Sequence, residues 1–142
     1  MRSFVRTVPR PGEFAAVADW PDETTLIVRV QGALDFYSVR DAKRLLLDEL
    51  EGRPRRIVID VSDSFVDSTG IGLLVHIAQR LATERRRLRI VCDRRLAELL
   101  HFHRLDRLIP IAETVDDALG SQRFAPRVGS AAPAGEVLRR VA

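Results

Sequence analysis

Apolar and polar residues divide the chain into short segments of strand-like and helix-like period. Thr25-Leu-Ile-Val-Arg-Val-Gln31 alternates and is rich in β-branched residues, which predicts a strand ending at Gly32. A weaker strand, Glu13–Trp20, precedes it across the Pro21-Asp22 turn, and the two together predict a hairpin. Over Ser38–Glu51, Val39, Ala42, Leu45, Leu46, Asp48 and Leu50 fall on a helical pattern, with Ser38 as N-cap, Gly52 as the stop and Pro54 beyond it. Arg56-Ile-Val-Ile-Asp-Val61 is a continuous apolar run of strand length, the kind that suits a covered strand with parallel neighbours. A loop, Ser62–Asp67, leads into a helix from about Ser68 to Glu84.

The second half repeats the alternation. Leu88–Cys92 predicts a strand, and Arg94–Leu105 a helix with Leu96, Leu99, Leu100 and Phe102 turned inward. Leu108–Ile111 predicts a short strand, placed at an edge by Pro110. Thr114 caps a last helix that opens over Thr114–Leu119, with Asp116 and Asp117 in its first turn. Beyond Gly120 the chain is dominated by Gly, Ala, Pro and Arg and predicts a flexible basic tail over 121–142, with Glu136–Val141 as a short helical turn. The order β-β-α-β-α-β-α-β-α predicts one α/β domain over 13–120. Its central sheet has four to five mostly parallel strands, with an N-terminal hairpin strand and four helices packed on it.

Size and charge narrow the possibilities. A chain of 142 residues is long enough to bury a core without staples, and its single cysteine, Cys92, excludes an internal disulfide and a cysteine-rich zinc site. The formal net charge is +3. Arg2, Arg6 and Arg10 give the extension 1–12 a charge of +3, and the tail 121–142 also carries +3, so the body 13–120 carries −3. The basic pI therefore belongs to the two ends. One internal cluster, Arg80, Arg85, Arg86, Arg87 and Arg89, lies where a helix ends, and cations there favour the helix dipole. A nucleic-acid binder usually gathers its basic residues on a folded face. The acidic body ranks direct nucleic-acid binding last. The longest apolar run, Ile71–Ile77, is broken by Gly72 and His76 and falls far short of the about 20 residues of a membrane span. The first residues show no stretch of signal-peptide length, so a cytoplasmic protein is expected.

In open α/β sheets function gathers at the carboxyl ends of the strands. That points to Asp60-Val-Ser-Asp-Ser-Phe-Val-Asp-Ser-Thr-Gly-Ile-Gly72. Phe65 and Val66 are apolar residues in the expected loop: Val66 suits a place under the sheet, and an exposed Phe65 would make a contact patch. Gly70 and Gly72 fall in the first turns of a helix, where each costs about 1 kcal/mol relative to alanine. Close approach of another backbone, either the chain's own strand or a partner's, is what such glycines permit. Asp67-Ser68-Thr69 sets hydroxyls at a helix N-terminus. Taken alone, Ser68 reads first as a structural N-cap, which the helix needs in any case; the functional reading is a phosphoacceptor, since a phosphate at that place meets free amide donors.

Three stretches carry a family resemblance: Gly32-Ala-Leu-Asp35 after a strand, Ile57-Val-Ile-Asp60, and Phe65-Val-Asp-Ser-Thr-Gly-Ile-Gly72. Over roughly residues 13–119 the chain resembles the STAS domain of bacterial anti-sigma factor antagonists. The resemblance implies a partner, an anti-sigma factor that is also an ATP-dependent serine kinase. Unmodified antagonist binds it and frees a sigma factor, phosphorylation of Ser68 breaks the complex, and a serine phosphatase restores it. It implies a partner-binding set of Asp35, Phe65, Asp67, Ser68, Thr69, Gly70 and Gly72, with Asp35 near the serine. It implies no catalytic residue, metal or cofactor. Two departures stand out: Ala33 replaces an acidic residue, and His101-Phe-His-Arg-Leu105 stands where the family often has a small-residue turn. A ligand-binding STAS module, sensing a nucleotide or serving a lipid transporter as soluble subunit, is the alternative.

Other chemistry finds little support. A serine nucleophile needs a base within hydrogen-bond reach. His76 is eight residues along the same predicted helix from Ser68, about 12 Å away at 1.5 Å per residue. His101 and His103 are spaced by two and do not share a helical face. Gly70-Ile-Gly72 lacks the third glycine of a dinucleotide fingerprint, and there is no P-loop. Cys92 reads as a small buried hydrophobe, and Trp20 as a lid on the core.

Overall fold

A computed structural model describes residues 13–120 and the backbone of 136–141. The expected basic extension 1–12 and residues 121–135 of the expected tail lie outside the described residues. The elements are β1 (Phe14–Asp22), β2 (Thr25–Leu34), α1 (Val39–Leu50), β3 (Arg56–Val66), α2 (Ser68–Thr83), β4 (Arg87–Val91), α3 (Arg94–Phe102), a 3-10 turn (Leu105–Arg107), β5 (Ile111–Ala112), α4 (Val115–Leu119) and β6 (Glu136–Val141). They form one sheet in the order β5-β4-β3-β2-β1-β6. Strands β2 to β5 run parallel to one another, β1 is antiparallel to β2, and β6 is antiparallel to β1. The mostly parallel α/β sheet with an N-terminal hairpin and four helices is the predicted architecture.

Alternation along the strands sorts side chains to two faces. One face meets α1, α2 and α3 in a core built from Leu26, Val28, Ile57, Ile59, Leu74, Ile77, Leu81, Ile90, Leu96 and Leu100, among others. The other carries a smaller cluster, Ile27, Val58 and Val91 under Ala118 of α4. Trp20 packs half-buried against the larger core, and its Nε1 donates to Glu49 on α1 at 3.0 Å. Cys92 is buried.

Four sequence expectations need correction. Ser62–Val66 is not a loop: β3 runs on to Val66 beside Gln31–Leu34 of β2. Ser62, Asp63 and Ser64 are poor strand formers, and here local bonds hold them. The ladder shifts by one residue between Asp60 and Asp63, as in a bulge, and Asp60 accepts from the Ser62 amide (2.9 Å) and hydroxyl (2.6 Å). The Ser64 hydroxyl donates to the Val30 carbonyl at 2.6 Å. Second, α3 ends at Phe102, whose side chain points outward at 80% exposure. Leu96 and Leu100, four apart, already fill the inward stripe, and a residue two further on is turned about 200° away. Third, the edge strand is Ile111–Ala112, not Leu108–Ile111. Pro110 has no amide to give the ladder, and only its carbonyl joins, accepting from Ile90 at 2.9 Å. Fourth, Glu136–Val141 is a strand rather than a helical turn. It pairs with the outer edge of β1, so an unpaired edge at Phe14–Ala18 is covered by the chain itself.

The two glycines of α2 differ in what they do. A Cβ on Gly70 would stand 2.3 Å from the Leu34 carbonyl oxygen and 2.8 Å from Val66 Cγ1, so the helix mouth can press onto the ends of β2 and β3 only with glycine there. A Cβ on Gly72 would meet nothing within 4 Å. Gly70→Ala is therefore expected to destabilise the domain by about 1–3 kcal/mol. Gly72→Ala is expected to stabilise it by up to about 1 kcal/mol through helix propensity. Urea titration of the two variants beside wild type reads both signs.

Candidate functional site at the mouth of α2

The site begins with a cap. Asp67, not Ser68, is the N-cap of α2: its Oδ1 accepts from the Gly70 amide at 2.9 Å. Its Oδ2 accepts from the Phe36 amide at 3.2 Å, which ties the loop after β2 to the same helix mouth. The Asp67 amide in turn donates to the Leu34 carbonyl at 3.3 Å. Of the two readings of Ser68, the structural cap falls away. Ser68 occupies the first helical position and is exposed, and its hydroxyl makes no hydrogen bond among the described residues. The first turn of α2 contains no acidic residue of its own. The amides of Ser68 and Thr69 precede the first cap bond and stay open to an anion.

The β2–α1 loop is built by two polar residues. The Asp35 carboxylate is buried, with Oδ1 accepting from the Tyr37 amide at 3.0 Å and the Ser38 amide at 3.1 Å. The Ser38 hydroxyl makes no cap bond to α1. It accepts from the Asp35 amide at 3.0 Å and donates to the Ala33 carbonyl at 2.7 Å. Asp35 thus lies at the same sheet end as Ser68, one residue from the Phe36 amide that Asp67 holds. Gly32, at φ +90°, lets β2 pass beneath the Glu13 carbonyl on its way there.

What this loop shows to solvent is aromatic. Phe36 and Tyr37 are each 70% exposed and meet edge to face at 5.5 Å. Sequence reasoning missed both, although the argument that singled out Phe65 applied to them: they are apolar residues between a strand's carboxyl end and a helix. Phe65 itself is half exposed, with the Arg95 guanidinium 5.6 Å over its ring, and Arg95 Nη2 donates to the Val66 carbonyl at 3.2 Å. Val66 is buried, as expected. Thr69 is half-buried, Gly70 buried, and Gly72 open on the exposed side of the helix. The structure brings Phe65, Asp67, Ser68, Thr69 and Gly70 together with Phe36 and Tyr37 at one end of the sheet.

The remaining candidates fall outside this site. His76 is exposed on α2. His101 pairs with Asp106 at 2.8 Å, and that hydrogen bond holds the Asp106 carboxyl below its ordinary range. The arginine cluster is divided: Arg80 pairs with Glu84, while Arg86 turns inward and donates to the Leu50 carbonyl at 2.7 Å and the Pro54 carbonyl at 2.8 Å. Hydrogen bonds from Arg86 and then Arg80 keep the Glu84 carboxyl low. Burial pushes the Cys92 thiol up to about 11, so it carries little thiolate near neutrality. No described helix is long and apolar enough to cross a membrane.

Asp67 joins two loops with one carboxylate, and its loss exceeds that of an ordinary cap. Asp67→Ala is expected to cost about 2 kcal/mol, the upper end for an N-cap, and to speed hydrogen exchange at the Phe36 and Gly70 amides. Denaturant unfolding and amide exchange check the two effects.

Against known proteins, the STAS domain model matches residues 19–118. No curated protein is similar enough to the chain to count as a relative. Solved structures of similar fold include an anti-sigma factor antagonist from Mycobacterium paratuberculosis, with 22% identity and a TM-score of 0.72 over 82% of this chain and 100% of that one. The anti-sigma factor antagonist SpoIIAA in its unphosphorylated form has 20% identity and a TM-score of 0.61, covering 74% of this chain and 93% of that one. The Bacillus cell fate determinant SpoIIAA in its phosphorylated form has 20% identity and a TM-score of 0.58, covering 77% of this chain and 100% of that one. Matched over most of its length and sharing the sheet and helices of these structures, the chain belongs to the STAS domain family.

Proposed function

We propose that this protein is an anti-sigma factor antagonist: it binds an anti-sigma factor carrying an ATP-dependent serine kinase, frees the sigma factor, and is switched off when that kinase phosphorylates Ser68. The observation that carries the reading is the division of labour at the mouth of α2. Asp67 takes the cap, and the neighbouring Ser68 hydroxyl is left exposed and without a structural bond. Several neighbours of like fold are antagonists by name, and SpoIIAA among them has both an unphosphorylated and a phosphorylated form.

The physical account of the switch follows from the surroundings. Unmodified, the site offers Phe36, Tyr37 and Phe65 as apolar contact area, and the bare Gly72, four residues on from Ser68, leaves the adjoining turn of α2 open for close approach. Phosphate adds about −1.5 to −2 charges and three acceptor oxygens. The free amides of the first turn and the helix dipole accommodate that anion, so the domain stays folded. The partner surface that had packed on the aromatic residues must then desolvate a dianion, and the complex dissociates. Asp35 acts through the loop it shapes, by holding Phe36 and Tyr37 outward. The protein contributes no catalytic group of its own. A serine phosphatase returns it to the binding form, and the cycle belongs in the cytoplasm.

Incubation with ATP and candidate anti-sigma kinases from the same genome, followed by intact-mass measurement, is expected to show one added phosphate on wild type and none on Ser68→Ala. Ser68→Ala should keep its affinity for the kinase. Ser68→Asp should weaken binding only in part, since one carboxylate has less charge and fewer oxygens than a phosphate. Phosphate retained on Ser68→Ala, or no transfer by any candidate kinase, would remove the switch. Calorimetry with nucleotides alone separates this reading from a ligand-sensing module.

A further inference from the structure

A second, partly apolar surface on α3 adjoins the site. Arg95, Leu99 and Phe102 lie at i, i+4 and i+7 along one side of α3: Arg95 and Phe102 turn away from the inward pair Leu96 and Leu100, and Leu99, expected inward, sits half-buried on the flank between. Phe102 is the most exposed large hydrophobic among the described residues, and Leu99 is only partly covered. With Ala97, Glu98 and His101 they line a shallow concavity of about 780 Å³. Arg95 belongs to both surfaces, since its guanidinium lies over Phe65 and bonds the Val66 carbonyl while its side chain borders the concavity. Arg95 therefore joins the aromatic patch around Ser68 to the stripe that ends at Phe102.

We propose that the partner's footprint continues from the mouth of α2 along this stripe of α3, where the anti-sigma factor lays an apolar segment against Leu99 and Phe102 and a carboxylate against Arg95. The inference rests on the partner reading above and adds where, and with what chemistry, that partner binds. Continuity with the Ser68 site selects the occupant. Arg95 forms no ion pair with a carboxylate among the described residues, and it borders both surfaces. A protein docked at the mouth of α2 that carries an acidic residue beside an apolar ridge engages Phe65, Arg95 and Phe102 together.

The test compares full-length variants for affinity toward the candidate anti-sigma factor. Phe102→Ala is expected to bind about tenfold more weakly or worse, as buried aromatic anchors do, with an unchanged unfolding transition. Arg95→Glu is expected to lose binding more severely, and added salt should not restore it to wild type. Phe102→Ala binding within about twofold of wild type overturns the extended footprint. If Ser68→Asp still weakens binding in that case, the antagonist reading stands without it. Wild-type self-association that Phe102→Ala abolishes, with anti-sigma binding intact, assigns the stripe to a second copy and also overturns the proposal. Failure of wild type to bind any anti-sigma factor removes both readings.

Discussion

One carboxylate organises the functional end of this domain. Asp67 accepts from Gly70 on one side and from Phe36 on the other, so a single side chain caps α2 and fastens the β2–α1 loop. The backbone of Leu34 closes the same circuit by accepting from the Asp67 amide. Gly70 makes the arrangement sterically possible, because any larger residue would strike the Leu34 carbonyl. Three separate stretches of chain meet there, and each is held by bonds to Asp67 or to its amide rather than by apolar packing alone.

That constraint has a consequence for Ser68. A helix needs one cap, and aspartate and serine supply it about equally well. With Asp67 in the role, the serine one residue later carries no structural duty and projects from the first turn, where free amides favour an anion. The domain can thus present an unbonded hydroxyl without leaving a helix end unsatisfied. The loop beside it is held by polar side chains: Asp35 accepts from the Tyr37 and Ser38 amides, the Ser38 hydroxyl donates to the Ala33 carbonyl, and Phe36 and Tyr37 remain exposed.

Much of this was legible in the residue pattern. Alternation and apolar runs locate β2, β4 and α1 to within a few residues, and the first half of β3, because each buries one well-defined face. Gly32-Ala-Leu-Asp35 and Asp67-Ser-Thr-Gly-Ile-Gly72 mark the sheet end that matters. What the pattern could not show was decided by interactions between distant segments. Asp67 and Ser68 are adjacent and both cap well, and only the Phe36 amide, far off in sequence, explains why aspartate holds the place. Ser62–Ser64 reads as a loop until β2 is laid beside it, when Asp60 and the Val30 carbonyl supply the bonds that local propensity lacks. Phe102 reads as core until Leu96 and Leu100 are seen to fill the inward stripe. Glu136–Val141 reads as a tail element because its partner, β1, lies at the other end of the chain.

The account stands on the claim that the Ser68 hydroxyl does no work in the folded domain. Chemical unfolding of Ser68→Ala measures this directly, apart from any partner or kinase. The account predicts stability within about 0.5 kcal/mol of wild type, as for a surface change that breaks no bond. A loss of about 1 kcal/mol or more, the cost of removing an N-cap, would mean that the serine caps the helix and is not free for modification.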